Sequence, residues 1–182
     1  GMATLAGDAL LNYAFEIMLS SSIDKKDSNK YLKAINEVAS HAGIYGMIGG
    51  QVVDVESENK FIDKDKLDFI HLNKTAALIV ACMRAGAIVG GANEDELQRI
   101  TKYGKNIGLS FQIVDDILDI TGDEAKLGKP IGSDIENHKS TYPSLLGLEK
   151  SREIARELIE EAKSSIEGFS SDLEFLKQLG DY

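Results

Sequence analysis

The stretch Gln112-Ile113-Val114-Asp115-Asp116-Ile117-Leu118-Asp119 sets three carboxylates inside an otherwise apolar segment. Leu109, Phe111 and Ile120 extend the apolar surroundings on either side. On a helix, Asp115 and Asp119 lie one turn apart, roughly 6 Å along the axis, and face the same way. Gln112, three residues before Asp115, joins that face. Like charges at this spacing repel, and burying them without partners costs far more. A cation against the face resolves the conflict. Oxygen-only ligands suit a hard divalent ion, Mg²⁺ above all. The competing reading is a solvated acidic face, and the apolar flanks argue against it.

Working outward, the periodicity is helical throughout and no strand alternation stands out, so the fold class is all-α. Asn93 is a suitable N-cap for the helix that carries the motif, with Glu94, Asp95 and Glu96 in its first turn and Gly122 as its stop. A first helix reaches from the N-terminus to about Ser20, with Leu5, Leu10, Tyr13, Ile17 and Met18 in helical register. A second is expected from Ser28 or Asn29 to about Glu56, despite Gly43, Gly46, Gly49 and Gly50. Each glycine inside a helix costs about 1 kcal/mol, so a closely approaching backbone or a bulky ligand is expected there. Gln51 and Asp54 follow on one face. A third helix starts near Asp65, and Lys74 and Thr75 mark where it turns from polar to apolar. Lys74 either snorkels or aims its ammonium at an anion in the core. His41 and His71 read as structural, and Cys82 reads as core. The region from Asp123 to Ser140 holds Gly128, Lys129, Pro130, Gly132, Asp134, His138 and Lys139. It is either a lid over a phosphate–metal site or an ordinary exposed loop. Beyond it the sequence predicts a short helix over Tyr142–Leu148 opened by Pro143, another capped by Ser151, and a last one over Asp172–Leu179.

The 182 residues suffice for one domain with a sizeable core. A net charge of −10 argues against nucleic acid as a partner. One cysteine rules out an internal disulfide framework. The apolar run Thr75–Ala92 contains Arg84 and many small residues, so a buried helix is expected there and no membrane span. No basic secretory n-region is present, and the expected compartment is cytoplasmic.

Five signatures in order connect the chain to a family: Leu-Ala-Gly-Asp-Ala-Leu-Leu (Leu5–Leu11), Gly-Gly-Gln-Val-Val-Asp (Gly49–Asp54), Lys74-Thr75, Phe-Gln-Ile-Val-Asp-Asp-Ile-Leu-Asp (Phe111–Asp119), and Gly-Lys-Pro-Ile-Gly-Ser-Asp (Gly128–Asp134) followed by Asn137-His138-Lys139. The chain resembles the trans-isoprenyl diphosphate synthases, the farnesyl and geranylgeranyl diphosphate synthase group. The resemblance implies a helical bundle around a central cavity, a homodimer, and head-to-tail transfer of a prenyl group from an allylic diphosphate to isopentenyl diphosphate. It also implies Mg²⁺, about three ions per complete site. Asp115 would bind the metal that bridges the allylic diphosphate, and Asp116, Asp119 and Asp134 would support it. Lys74, Lys129 and Lys139 would contact the diphosphate. The Thr75 hydroxyl and the Lys74 and Gln112 carbonyls would face the developing cation, and Gln51 and Asp54 would line the same cavity.

One departure from the family pattern is plain. The family carries an earlier Asp-Asp-x-x-Asp motif and a more N-terminal basic site for isopentenyl diphosphate, and neither occurs here. Residues 1–182 are therefore expected to be the C-terminal part of a single synthase domain, inactive by itself. The alternatives are a non-catalytic partner subunit and, further off, a terpene cyclase.

Overall fold

Helix α6 (Glu94–Thr121), 28 residues long, is the axis of the fold. It opens on the expected capping box: Asn93 Oδ1 accepts from the Glu96 N–H at 3.0 Å, and Glu96 Oε2 accepts from the Asn93 N–H at 2.8 Å. It stops at Gly122, whose N–H still reaches the Leu118 carbonyl. The computed structural model describes residues 1–123, 128, 131–132, 139–169 and 173–182. Among them every regular element is helical. The others are α1 (Met2–Ser20), α2 (Ser28–Ala42), α3 (Met47–Glu56), α4 (Lys64–His71), a π turn (Leu72–Ala76), α5 (Ala77–Gly90), α7 (Tyr142–Leu146), α8 (Leu148–Ser165) and α9 (Glu174–Asp181).

Helix α8 packs on one flank of α6, and α5 with the π turn packs on the other. Helix α2 lies outside α5, and α3 lies against the π turn. Apolar burial occurs at both ends of α6. At the aspartate end Ile113, Ile117, Leu67, Ile70, Tyr142 and Ala155 form one cluster. At the other end Ile100, Tyr103, Ala162 and Ile166 form a second, and the Tyr103 hydroxyl donates to the Leu176 carbonyl at 2.6 Å. Arg84 ties three helices together. Its Nε and a terminal nitrogen donate to the two oxygens of Glu37 at 2.7 and 2.9 Å, and the other terminal nitrogen reaches Thr101 at 2.8 Å. The Arg84 hydrogen bonds hold the Glu37 carboxyl below its ordinary range against the opposing effect of burial.

Several boundaries differ from the expectation. The expected second helix is two, because the chain turns between Gly43 and Gly46. A Cβ on Gly46 would sit 2.0 Å from the His41 carbonyl oxygen, and one on Gly49 would sit 2.1 Å from that of Ile44. The third helix is continuous but carries the π turn across Lys74 and Thr75. Ser151 is no cap: Gly147 occupies that place, and Ser151 is buried inside α8 with its hydroxyl donating to the Gly147 carbonyl at 2.8 Å. The short helix ends at Leu146, and the last begins at Glu174, with Asp172 outside the described residues. Cys82 is exposed rather than core, since it lies on the side of α5 turned toward a groove beside Phe169 and Leu176. Leu5, Leu10, Tyr13 and Ile17, whose spacing located α1, are exposed. By length and composition alone the stretch Lys64–Gly90 could cross a bilayer. It is also the element on which α2, α3 and α6 pack, and its Lys74 and Arg84 are both ion-paired.

The glycines do meet a closely approaching backbone. A Cβ on Gly50 would lie 2.3 Å from the Lys74 nitrogen, and one on Gly108 would lie 2.6 Å from Ala76 Cα. Helices α3 and α6 therefore press on the π turn from two directions at backbone range. Gly50→Ala and Gly108→Ala should each destabilise the fold by about 1–3 kcal/mol. Gly86→Ala, where nothing stands within 4 Å in a helix interior, should stabilise it by about 0.4–1 kcal/mol. Urea denaturation of the three variants checks the ordering; equal effects at all three would contradict the packing account.

Candidate active site

The π turn, the C-terminal half of α3, the aspartate face of α6 and the segment 139–141 enclose a cleft of about 140 Å³. Asp54, Lys74, Gln112, Asp115, Asp116 and Lys139 all line it, above an apolar floor that includes Ile62, Leu67 and Ile70. Six of the expected site residues, spread over more than 80 positions of sequence, thus share one space.

Its electrostatic centre is Asp54. One carboxylate oxygen accepts from Lys74 Nζ at 2.6 Å and faces Lys139 Nζ at 3.5 Å. Burial alone would raise the Asp54 carboxyl, but the hydrogen bond and charge of Lys74, with Lys139 behind it, hold it below the ordinary aspartate range. Two ammonium groups thus converge on one carboxylate. Both lysine side chains keep about a third of their surface open, 32% and 30%, while Asp54 keeps 14%. That arrangement suits an incoming anion, since each ammonium retains donors not spent on Asp54. Thr75, next on the π turn, donates from its hydroxyl to Gln112 Oε1 at 2.9 Å, joining the turn to the aspartate helix. π turns within α-helices often mark functional positions.

The aspartates of α6 are not equivalent. Asp115 is half-buried at the cleft wall. Asp116 is buried, and its Oδ2 accepts the Tyr142 backbone N–H at 2.9 Å. His71 Nε2, buried and otherwise without a hydrogen-bond partner, stands 3.5 Å from the same oxygen. Asp119 is buried beside an adjoining recess shared with Asp116, Lys139 and Thr141, and its carbonyl accepts the Gly132 N–H at 2.8 Å. Gln51 is exposed on α3, outside the cleft lining. Lys129 and Asp134 lie outside the described residues.

Among the described residues no three or more His, Cys, Asp or Glu side chains converge as a metal cage. Magnesium does not need one. It is commonly held by one or two carboxylates, completed by waters and substrate phosphates. The oxygen donors of Asp115 and its neighbours, beside two lysines able to hold phosphate, fit that pattern.

Two residues beside the cleft, Asp68 and Tyr142, escaped the sequence reading as parts of its surroundings. Asp68 sits four residues after Lys64 and pairs with it at 2.5 Å, a spacing that reads as ordinary solvated helix surface. Its other oxygen accepts the Tyr142 hydroxyl. Tyr142 is buried, stacks on His71 at 5.9 Å between ring centroids and 16° between planes, and has its phenol pKa raised by burial and then by Asp68 and Asp116. His71 is structural, as expected, but the structure it serves is the wall of the cleft.

Residues 1–175 match the family profile described as polyprenyl synthetase. The chain belongs to the polyprenyl synthetase family. It is 45% identical over 179 residues to the farnesyl diphosphate synthase of Bacillus subtilis, covering 98% of this chain and 60% of that one. It is 47% identical over 175 residues to the chloroplastic heterodimeric geranylgeranyl pyrophosphate synthase large subunit 1 of Arabidopsis thaliana, covering 94% of this chain and 47% of that one. In three dimensions it is similar to a geranyltransferase of Helicobacter pylori crystallised with magnesium and isoprenyl diphosphate. There the TM-score is 0.81 and the identity 32%, with 97% of this chain and 57% of that one covered. The chain therefore spans about half to three-fifths of the length of the relatives it matches. The all-α polyprenyl synthetase fold agrees with the expected class.

Because the Asp54 carboxyl is depressed in the folded chain, its pairing stabilises fully above the ordinary aspartate value of about 3.9 and is lost as pH falls through the lower folded value. The stability gap between wild type and Asp54→Asn should be constant from pH 8 to about pH 5 and shrink below about pH 4. Thermal melts across that range test it; a gap that widens on acidification would contradict the pairing.

Proposed function

We propose that this chain carries the diphosphate-holding side of a prenyltransferase active site. The reaction condenses an allylic diphosphate with isopentenyl diphosphate, head to tail and with Mg²⁺, into a short-chain isoprenyl diphosphate such as farnesyl or geranylgeranyl diphosphate. One observation carries the reading: Lys74 and Lys139 converge on Asp54 across one cleft from Asp115, in a chain of the polyprenyl synthetase family. The names of the relatives, farnesyl and geranylgeranyl diphosphate synthases, agree with it.

The chemistry asks that the allylic C–O bond break and the diphosphate leave with the electron pair. The double bond of isopentenyl diphosphate then attacks the carbocation, and a proton is lost. Charge building on the leaving diphosphate is met by Lys74 and Lys139, already held near one another by Asp54. Lys129 and Asp134 join this set in the proposal. Asp115, with Asp116 and Asp119 behind it, would hold Mg²⁺, which when bound neutralises diphosphate oxygens and assists departure. The Thr75 hydroxyl and the Lys74 and Gln112 carbonyls present oxygen to the cation. The apolar floor of Ile62, Leu67 and Ile70 disfavours water near it.

We further propose a cytoplasmic homodimer, the exposed apolar side chains of α1 being the kind of surface an interface covers. The 182 residues are proposed to be the C-terminal part of one synthase domain.

In a complete enzyme containing this segment, Asp115→Ala should lower the rate by a factor on the order of 10²–10³ while the circular dichroism stays that of the wild type. Lys129→Ala should weaken diphosphate binding. Residues 1–182 alone should show no turnover of dimethylallyl or geranyl diphosphate with Mg²⁺. Turnover by that polypeptide would overturn its reading as an incomplete site, and a wild-type rate for Asp115→Ala would overturn the metal assignment.

A further inference from the structure

Lys139 belongs to no helix, yet it is held over Asp54 at 3.5 Å. What fixes it is found one and three residues downstream. The Ser140 hydroxyl accepts the Ile62 N–H at 3.2 Å. Tyr142 is gripped at three places by two different helices. Its backbone N–H donates to Asp116 on α6 at 2.9 Å. Its hydroxyl donates to Asp68 on α4. Its ring lies against His71, one turn beyond Asp68 on the same helix. Tyr142 is 1% exposed and clusters with Leu67, Ile70, Ile113 and Ile117. Lys64 completes the surroundings, bonded to the second oxygen of Asp68 at 2.5 Å and placed 5.4 Å above the phenol ring.

A buried phenol hydroxyl demands an acceptor, and Asp68 is the one it has. Three residues of extended chain span at most about 10 Å. A Tyr142 fixed on three sides therefore confines the Lys139 backbone to a short arc beside the cleft. Asp68 does not line the cleft, and nothing in the proposed chemistry uses it.

We propose that Asp68 and Tyr142 form a latch between α4 and α7 whose task is to position Lys139 for the diphosphate. Asp68 is a positioning residue that acts through Tyr142 on Lys139. The proposal rests on the reading of Lys139 as a diphosphate contact, and the test separates the two.

The test is a double-mutant cycle in a complete enzyme containing this segment, with inorganic diphosphate and Mg²⁺ as the probe and calorimetry as the readout. Lys139→Ala should weaken binding about tenfold, the scale of one hydrogen bond to a charged group. Asp68→Ala should weaken it by a similar factor while Lys139 is present and by less than twofold in the Lys139→Ala background. Asp68→Asn, which keeps an acceptor for the phenol, should recover most of the loss. Tyr142→Phe removes only the hydroxyl and takes the place of Asp68→Ala in the cycle should that variant not fold. Multiplicative losses in the double variant, or no recovery with Asn, would overturn the latch.

Hydrogen exchange supplies the independent arm. Amides of residues 139–146 should exchange about tenfold faster in Tyr142→Phe than in wild type, and unchanged protection there would overturn the latch. If the complete wild-type enzyme binds no magnesium diphosphate, or Lys139→Ala has no effect in it, the diphosphate reading fails while the exchange arm still decides the latch.

Discussion

Backbone contact at the π turn is the constraint on which the cleft depends. Residues Leu72–Ala76 are held between α3 at Gly50 and α6 at Gly108, both at distances that leave no room for a Cβ. A side chain at either glycine would push the helices apart and with them the two walls of the site. The turn itself carries Lys74 and Thr75. Because its backbone is fixed from two sides, the Lys74 ammonium meets Asp54 on α3 and the Thr75 hydroxyl meets Gln112 on α6. Two packing contacts thereby set the relation of three helices and of the charged groups they present.

The aspartate stretch is resolved into different tasks by that geometry. Asp115 faces the space where a cation and an anion would meet. Asp116, one residue on and about 100° round the helix, turns inward, where it accepts the first backbone donor of α7 and lies beside a buried imidazole. Two adjacent residues of identical chemistry line the same cleft but differ in burial: Asp115 is half-buried at its wall, and Asp116 is buried with one oxygen spent on the Tyr142 N–H. The result also explains how carboxylates are tolerated in so apolar a segment. Asp116 is supplied with a donor by the protein itself, and the lysines around Asp54 offset negative charge nearby.

Much of this was legible in sequence. Helical periodicity, the Asn93 cap with Glu96 and the Gly122 stop located α6, since local signals govern helix ends. Glycines spaced along residues 43–50 announced a close approach, although periodicity could not tell that Gly43 and Gly46 break the helix while Gly50 packs against another. The pairing of Lys74 and Lys139 with Asp54 was not legible, because it joins residues 20 and 85 positions apart and no local pattern encodes it. Cys82 was misplaced for a related reason: an apolar run shows that a helix is core-forming without showing which side meets its neighbours. Asp68 was hidden by its good local partner. Lys64 at i−4 explains a solvated carboxylate completely, and only the fold brings Tyr142 to its other oxygen.

In the function proposed, the Asp115 wall and the Asp54-centred lysines form one clamp for a metal and a diphosphate. Diffraction at the manganese edge from crystals of a complete enzyme containing this segment, soaked with Mn²⁺ and inorganic diphosphate, decides it. An anomalous peak is expected at direct ligand distance from an Asp115 oxygen, roughly 2.0–2.2 Å, with the diphosphate between it and the ammonium groups of Lys74 and Lys139. Manganese and diphosphate bound elsewhere, with Lys74 and Lys139 still turned only to Asp54, would contradict it.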